Sequence, residues 1–445
     1  MKNDNPRLLA FQILQKYYPG KTNISNLLNE FFRANEDYQN KGLIREFIWG
    51  IVRYLNTIDY FIDSFLDKKN VKNPVRNILR IGVFQLLYLS EKIPSYAAVS
   101  ETVELTKLSG LSNFTTLVNA ILRKIEREKI RLPLPDLEKN RIAFYSIKLS
   151  HPEWLISRWI NRFGEKGAEN LCIFNNINPE LTIRTNTLKI ARDKLKILLE
   201  NEGIKSEYTK YSPDGLVLSV KPELETLESF NLGCFVVQDE ASQLISYILD
   251  PQKNETILDL CSGSGIKSSH IAQLSNLETE IISIDNSPKQ IEIAKENLLR
   301  LGISNIKFIE EYIQKVKNIK ADKILLDTPC SGLGAIRKKP DIKWNRSEKM
   351  IKKHYPVIQK ELLVNAADLL KKDGIIVYST CTTEPEENEN VVNDFLKKCK
   401  NFKLEKIENK IINNDLIDDN GYFFKTYKKN VIMDGFFAAK LKKLN

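Results

Sequence analysis

Apolar residues recur at helical spacing through the first third of the chain. Leu9, Ile13 and Tyr17 fall at i, i+4 and i+8, and Val118, Ile121, Leu122 and Ile125 at i, i+3, i+4 and i+7; each set lines one face of a helix. Pro19-Gly20, Asn73-Pro74, Pro94 and Ser109-Gly110 punctuate the pattern, as residues that interrupt helices do. Residues 1–135 therefore read as an all-helical domain whose periodicity runs to about Arg131 and ends in a linker-like Leu132-Pro133-Leu134-Pro135. Residues 140–230 read as a small α+β intermediate region, with a helix around residues 151–163 and strand-like runs at Leu181–Thr185 and 215–220. Past Phe235 the rhythm changes. Apolar runs at Thr256–Leu260, Glu280–Asp285, 306–309, 323–327, 374–380 and 435–440 read as strands, with amphipathic helices such as Pro288–Leu301 between the first five. This alternation predicts an α/β domain over residues 231–445, a doubly wound and mainly parallel sheet with helices on both faces. Ligands of such sheets bind beyond the carboxyl ends of the strands.

Composition narrows the class of partner. The chain has 445 residues, 42% hydrophobic and 28% charged, which suits a globular protein of several domains. Its longest early apolar run, Ile81-Gly82-Val83-Phe84-Gln85-Leu86-Leu87, is far shorter than the ~20 residues of a membrane span, so no membrane association is expected. The opening Met1-Lys2-Asn3-Asp4-Asn5-Pro6 lacks the apolar core of a secretory signal, and a cytoplasmic location is the expectation. Six cysteines form no CxxC pair and stand beside three histidines, so neither a metal site nor a disulfide framework is expected. Residues 1–150 hold 23 Lys and Arg against 15 Asp and Glu, whereas the remainder holds 44 against 42. An excess of positive charge on the helical third suits a phosphate-backbone partner; a solvated bundle surface is the plainer reading of the same residues.

Four strand ends carry chemistry. Ile257-Leu258-Asp259-Leu260-Cys261-Ser262-Gly263-Ser264-Gly265-Ile266-Lys267 is an apolar strand, a glycine turn and a helix start. Gly263 and Gly265 permit positive φ and close approach of a ligand to the backbone. The next strand ends at Asp285, placed to accept hydrogen bonds from ribose hydroxyls; a tight turn and a solvated aspartate are the alternative. Later, Ile324-Leu325-Leu326-Asp327 runs into Thr328-Pro329-Cys330-Ser331-Gly332, and Ile375-Ile376-Val377-Tyr378-Ser379-Thr380 into Cys381. One strand-end cysteine is usually packing, but two on the ligand edge of one sheet favour chemistry. Methylation of cytosine at carbon 5 is a reaction that needs such a pair. Carbon 5 is too weak a nucleophile to attack a sulfonium methyl until a thiolate adds at carbon 6. The attacking sulfur needs surroundings that favour its thiolate. Asp327 can hydrogen-bond the base edge as charge builds, and a second cysteine can assist release. The base must leave its stack to be reached. Arg337-Lys338-Lys339-Pro340-Asp341-Ile342-Lys343-Trp344, with Arg346, Lys349, Lys352 and Lys353, reads as a cationic and aromatic clamp beside such a base, or as a solvated basic helix start.

These segments closely resemble the RsmB/Sun family of bacterial 16S rRNA cytosine-5 methyltransferases. The resemblance rests on Asp327 through Gly332, Arg337 through Trp344, Tyr378 through Cys381 with Pro385-Glu386-Glu387-Asn388, Val237 through Gln243, and Asp434-Gly435-Phe436-Phe437-Ala438. Leu43-Ile44-Arg45-Glu46-Phe47, Asn77 through Gly82 and Val118 through Arg123 are similar to the family's NusB-like RNA-binding domain, so the likeness spans nearly the whole chain. It implies a Rossmann-like class I methyltransferase sheet behind a NusB-like all-α domain, S-adenosyl-L-methionine as cofactor and one cytosine of 16S rRNA as substrate, free or in a partly assembled subunit. It implies Cys381 as nucleophile, Cys330 as the residue aiding release, and cofactor contacts at Cys261, Ser262, Gly263, Ser264, Gly265, Ile266, Lys267, Asp285 and Asp327. A further acidic contact falls on Glu310 or its neighbour Glu311, with Glu310 the nearer match. The family's first loop usually reads Cys-Ala-Ala-Pro-Gly-Gly-Lys, so this chain has lost the proline and carries Ile266 in place of a glycine, which would crowd the cofactor if that position required positive φ. We read an altered but working loop, in a monomer. The competing readings are an RNA-binding assembly factor with a decayed cofactor site, a nucleotide-dependent oxidoreductase on a similar sheet, and the same reaction on tRNA or another rRNA position.

Overall fold

The computed structural model describes residues 5–35, 38, 41–66, 71–128, 133–427 and 433–444. Residues 1–4 of the opening segment, and Arg131 and Leu132 at the expected linker, lie outside them. Contacts divide the chain into two compact units, Met1–Ile177 with Ile336–Glu348, and Asn178–Ala335 with Lys349–Asn445.

The first unit is helical, with helices Pro6–Gln15, Ile24–Arg33, Lys41–Arg53, Leu55–Ser64, Asn73–Tyr88, Ser95–Leu108, Thr115–Glu128, Arg141–Leu149 and Glu153–Asn176. Asn5 caps the first of them, its side chain accepting from Arg7 N, and Pro6 occupies a first-turn position where a missing N–H costs nothing. Val118, Ile121, Leu122 and Ile125 are buried as their spacing predicts, in one core with Phe47, Ile51, Ile78 and Leu79. Asn73-Pro74 opens a helix rather than separating two, while Pro94 and Ser109 flank the ends of another. The intermediate region divides by packing. Its helices Arg141–Leu149 and Glu153–Asn176 group with this unit, the second of them kinked at Gly164, while its strands and the helix Arg192–Asn201 group with the other.

In the second unit β1 (Leu181–Thr185), β2 (Ser206–Tyr208), β3 (Gly215–Leu218) and β4 (Phe235–Val237) form an antiparallel sheet in the order β2-β3-β1-β4. β5 (Thr256–Leu260), β6 (Glu280–Asp285), β7 (Ile306–Glu310), β8 (Ala321–Asp327), β9 (Leu370–Thr380), β10 (Phe402–Glu405), β11 (Phe423–Lys425) and β12 (Phe437–Lys443) form the large sheet. Its order is β10-β12-β9-β8-β5-β6-β7, with β11 also paired to β12. β5 to β9 run parallel and β12 joins β9 antiparallel. Alternate strand residues enter opposite cores, Leu258, Ile324 and Ile376 on one face and Ile257, Leu325 and Val377 on the other. Both faces are therefore dry, as a parallel sheet requires. The predicted all-α part, small α+β region and Rossmann-like sheet are all present. The chain winds one way from β5 to β7 and the other way through β8 and β9, so the sheet's switch point lies between β5 and β8. Cys261, Asp285, Glu310, Asp327 and Cys381 stand at or just past the carboxyl ends of the parallel strands. Among the described residues, no helix is long and apolar enough to cross a membrane.

Candidate active site

Past β5 the backbone takes positive φ at Cys261 (+62°), Gly263 (+53°) and Gly265 (+72°) before the helix Ile266–Leu274 begins. That turn directs backbone amides toward the neighbouring strand end. Gly263 N donates to Asp285 Oδ2 at 2.8 Å, and Ser287 N donates to Asp285 Oδ1 at 2.9 Å. A Cβ on Gly263 would meet no protein atom within 4 Å, so the turn has an open side. Asp285 and Glu310 are register partners on β6 and β7, which puts their side chains on one face. Glu310 is exposed, whereas Glu311 accepts from Tyr312 N at 2.8 Å and pairs with Lys315 at 3.5 Å. Ile266 is absent from the positive-φ positions and starts the helix with its side chain against the core. The residue that replaces a glycine of the resembling family is therefore unstrained. Cys261 is a poor nucleophile, since burial pushes its thiol up. Asp259 Oδ1 and Ser262 Oγ are buried without a protein partner. An open glycine turn, two adjacent acidic strand ends and unpartnered buried oxygens suit a nucleoside-like polar cofactor.

Asp259 lies below the turn, fully buried, with the Ser268 hydroxyl donating to it. Burial pushes its carboxyl up to about 7, against the opposing pull of Ser268 and Lys267. An acid raised by folding contributes stability that is complete below its unfolded value near 3.8 and is lost as pH rises through 7. Asp259→Asn, which does not titrate, should therefore gain on the wild type by up to about 4 kcal/mol between about pH 4 and about pH 8. Denaturant unfolding of both proteins at the two pH values measures this, and a constant gap contradicts it.

The two cysteine loops meet across the next strands. Asp327 ends β8, and Lys267 Nζ lies 2.5 Å from its Oδ2 while the Ser379 hydroxyl donates to Oδ1 at 2.8 Å. Burial works against the Lys267 charge, but Asp327 outweighs it and the ammonium is raised above its ordinary value, with Cys381 adding to the effect. That attraction is mutual, so a thiolate at Cys381 faces a fixed cation. Cys330 Sγ and Cys381 Sγ are 3.3 Å apart. The hydrogen bond to Cys381, then burial, pushes the Cys330 thiol well above the ordinary range. In this pair Cys330 is the sulfur held toward its protonated form. Glu387 ties the loops together. Its carboxylate accepts from Ser331 N at 2.7 Å, from Gln359 Nε2 at 3.2 Å and from the Thr382 hydroxyl at 3.3 Å. Burial pushes it up to about 6.

Gly334 N donates to Cys381 O at 3.0 Å, and Gly435 N to Gly334 O at 2.8 Å. A Cβ on Gly334 would lie 1.8 Å from Gly435 O, and backbone cannot yield as a flexible side chain does. Gly334→Ala should therefore displace the Cys381 loop and lower turnover by about 100-fold, the cost of a misplacement near 1 Å, with little change in cofactor affinity. Single-turnover rates and calorimetry separate the two quantities; an unchanged rate contradicts the arrangement.

Ser379, Glu387, Gln359 and Gly334 were not identified as site residues from sequence, because their partners lie far along the chain. The basic segment after Cys330 departs from its expected role. Lys343 is buried, its ammonium donating to Arg53 O, Ser150 O and Asn176 Oδ1 at 2.8, 2.6 and 3.1 Å. Trp344 Nε1 donates to Val52 O at 2.7 Å, and its ring packs on the helical core. These two side chains are structural anchors of the first unit, not a clamp for a base. Lys339, Lys349, Lys352 and Lys353 remain exposed. Arg184, on β1, is also structural: fully buried, it donates to Ile266 O at 3.0 Å and Ser269 Oγ at 2.8 Å, bracing the first turn beyond Gly265.

Residues 246–442 match the family model described as 16S rRNA methyltransferase RsmB/F, residues 4–127 that of the NusB family, and residues 151–224 the ferredoxin-like domain of RsmF/B-like methyltransferases. The probable ribosomal RNA small subunit methyltransferase B of Bacillus subtilis is 34% identical over 409 residues, covering 91% of this chain and 90% of its own length. The ribosomal RNA small subunit methyltransferase B of Photorhabdus laumondii is 31% identical over 451 residues, with both chains fully covered. Among solved structures, that of PH0851 is 25% identical with a TM-score of 0.80 over 99% of each chain. NSun6 from Pyrococcus horikoshii, solved with SFG, is 27% identical with a TM-score of 0.59 over 66% of this chain and 98% of its own.

Proposed function

The chain belongs to the RsmB/Sun family of S-adenosylmethionine-dependent 16S rRNA methyltransferases, with a NusB domain at its N-terminus, and on that premise we propose that it methylates carbon 5 of one cytosine through a covalent Cys381 adduct. The observation that carries this reading is the pair of sulfurs 3.3 Å apart beyond adjacent parallel strands, next to Asp327. Cys261 through Lys267, Asp285, Glu310 and Asp327 would hold the cofactor, which supplies an electrophilic methyl group when bound. The register of Glu310 with Asp285 supports it over Glu311 as the third acidic contact. The Cys381 thiolate, facing the Lys267 ammonium, adds to carbon 6 of the flipped base and makes carbon 5 an enamine-like nucleophile. Asp327, oriented by Ser379 and Lys267, hydrogen-bonds the base edge and favours protonation of the ring nitrogen. After transfer a solvent water takes the proton on carbon 5, the electrons of that bond re-form the carbon 5–carbon 6 double bond and expel Cys381 as a thiolate, and Cys330 assists that release. Glu387 acts as a positioning residue, holding both loops.

We assign residues 1–135 to RNA capture, 140–230 to an intermediate role and 231–445 to catalysis, in a cytoplasmic monomer. The positive charge of the first region supports a contact with phosphates. Nucleoside mass analysis of 16S rRNA methylated by the purified protein tests the chemistry. The proposal expects 5-methylcytidine at one position, and a methyl group on another nucleoside or on ribose would overturn it.

A further inference from the structure

The sulfur pair carries a second chemistry that methyl transfer does not use. None of the six cysteines is in a disulfide. Cys330 and Cys381 follow β8 and β9 by three residues and one residue, and these neighbouring strands pair Asp327 with Ser379. The sulfurs themselves are 3.3 Å apart, so about 1.3 Å of closure reaches the bonded length. The loops are held by bonds from backbone amides, Ser331 N to the Glu387 carboxylate and Gly334 N to Cys381 O, which leaves side-chain rotation to make the approach. Both cysteines are partly exposed, which gives a small oxidant access.

We infer that Cys330 and Cys381 form a reversible intrachain disulfide when the protein meets a hydroperoxide, and that this bond switches the site off. The Cys381 thiolate attacks one peroxide oxygen, the O–O bond breaks, hydroxide leaves and a sulfenic acid forms. The Cys330 sulfur then attacks the Cys381 sulfur, the S–O bond breaks, and the departing hydroxide takes the Cys330 proton as water. Each sulfur loses one electron and the peroxide gains two. A dithiol reverses the step by thiol–disulfide exchange. In the oxidised protein neither sulfur can add to a base.

The full-length reduced protein, treated with one equivalent of hydrogen peroxide, should become about 2 Da lighter and yield a linked Cys330–Cys381 peptide on digestion. Methyl transfer should fall by more than about 10-fold and return with dithiothreitol. Cys330→Ser should give no lighter species and should instead gain oxygen at Cys381. A wild-type protein that only gains oxygen, or that links another pair of cysteines, overturns the inference. Bond formation tests the sulfur geometry alone, whereas the accompanying loss of activity rests on the proposed roles. A linked protein that stays fully active would overturn the switch and contradict those roles together.

Discussion

Cys381→Ala should lower methyl transfer to 16S rRNA by at least about 1,000-fold, the scale on which a covalent nucleophile acts, while S-adenosylmethionine affinity is kept. On the proposed mechanism carbon 5 is not activated without the thiolate, and neither neighbouring cysteine is suited to replace it. Cys330, 3.3 Å away, keeps its proton, and Cys261 is raised by burial. The loss should appear in the single-turnover rate and be absent from calorimetric titration with the cofactor. Removal of the Lys267 ammonium should act in the same direction through the Cys381 thiolate, but more weakly. A Cys381→Ala protein with wild-type turnover would remove the nucleophile assignment.

Cys330→Ala should trap the intermediate instead of preventing it. The adduct forms at Cys381, carbon 5 takes the methyl group, and elimination then stalls because the partner thiol is gone. Incubation with 16S rRNA and cofactor should give a protein–RNA species that survives denaturing electrophoresis, in a large fraction of the protein where the wild type shows a trace. Adding Cys381→Ala to this variant should abolish the species. The distinction matters because both cysteines are partly exposed and touch each other, so proximity alone does not tell attacker from helper. Their surroundings differ in the sense the proposal needs, since Cys381 adds to the rise of Lys267 and Glu387 to the rise of Cys330, and the trapped species tests the assignment.

The parts of this molecule with strong periodicity were legible in the sequence. β5 and β6 have the bounds read from their apolar runs, and β7 to β9 lie within a few residues of theirs. β5, β6, β8 and β9 carry runs of Ile, Leu and Val buried on both faces of the sheet, whereas β7, at its edge, is only partly buried. β2, β4, β10 and β11 were not anticipated. They have three or four residues each, too few to establish an alternation. β9 starts at Leu370, ahead of the apolar run, because Lys371, Lys372 and Asp373 extend the strand as an exposed polar stretch. The last strand begins at Phe437, two residues later than expected, since Gly435 is taken up in the close approach to Gly334.

The strand-end residues Asp285, Asp327, Cys330 and Cys381 were also legible, because the topology of a doubly wound sheet gathers strand ends on one edge. What joins them was not. Glu387 serves Ser331 across 56 positions, and Gln359 reaches Pro329 O from a helix that bears no motif of its own. Lys343 shows the converse. Its charge reads as a phosphate contact, yet Ile342 and Trp344 on either side carry it into the helical unit, where three acceptors surround its ammonium. Burial, with Arg53 nearby, pushes this amine well below the ordinary lysine range, its hydrogen bonds satisfy it there, and a lysine in a sequence does not by itself distinguish that case from a solvated one.

The most direct measurement is peptide mapping of the species trapped by Cys330→Ala, after nuclease and protease digestion. A methylated cytidine nucleotide attached to the peptide holding Cys381 is the predicted result. A nucleotide attached to any other residue, or a protein that turns over without a sulfur–pyrimidine bond, would contradict it.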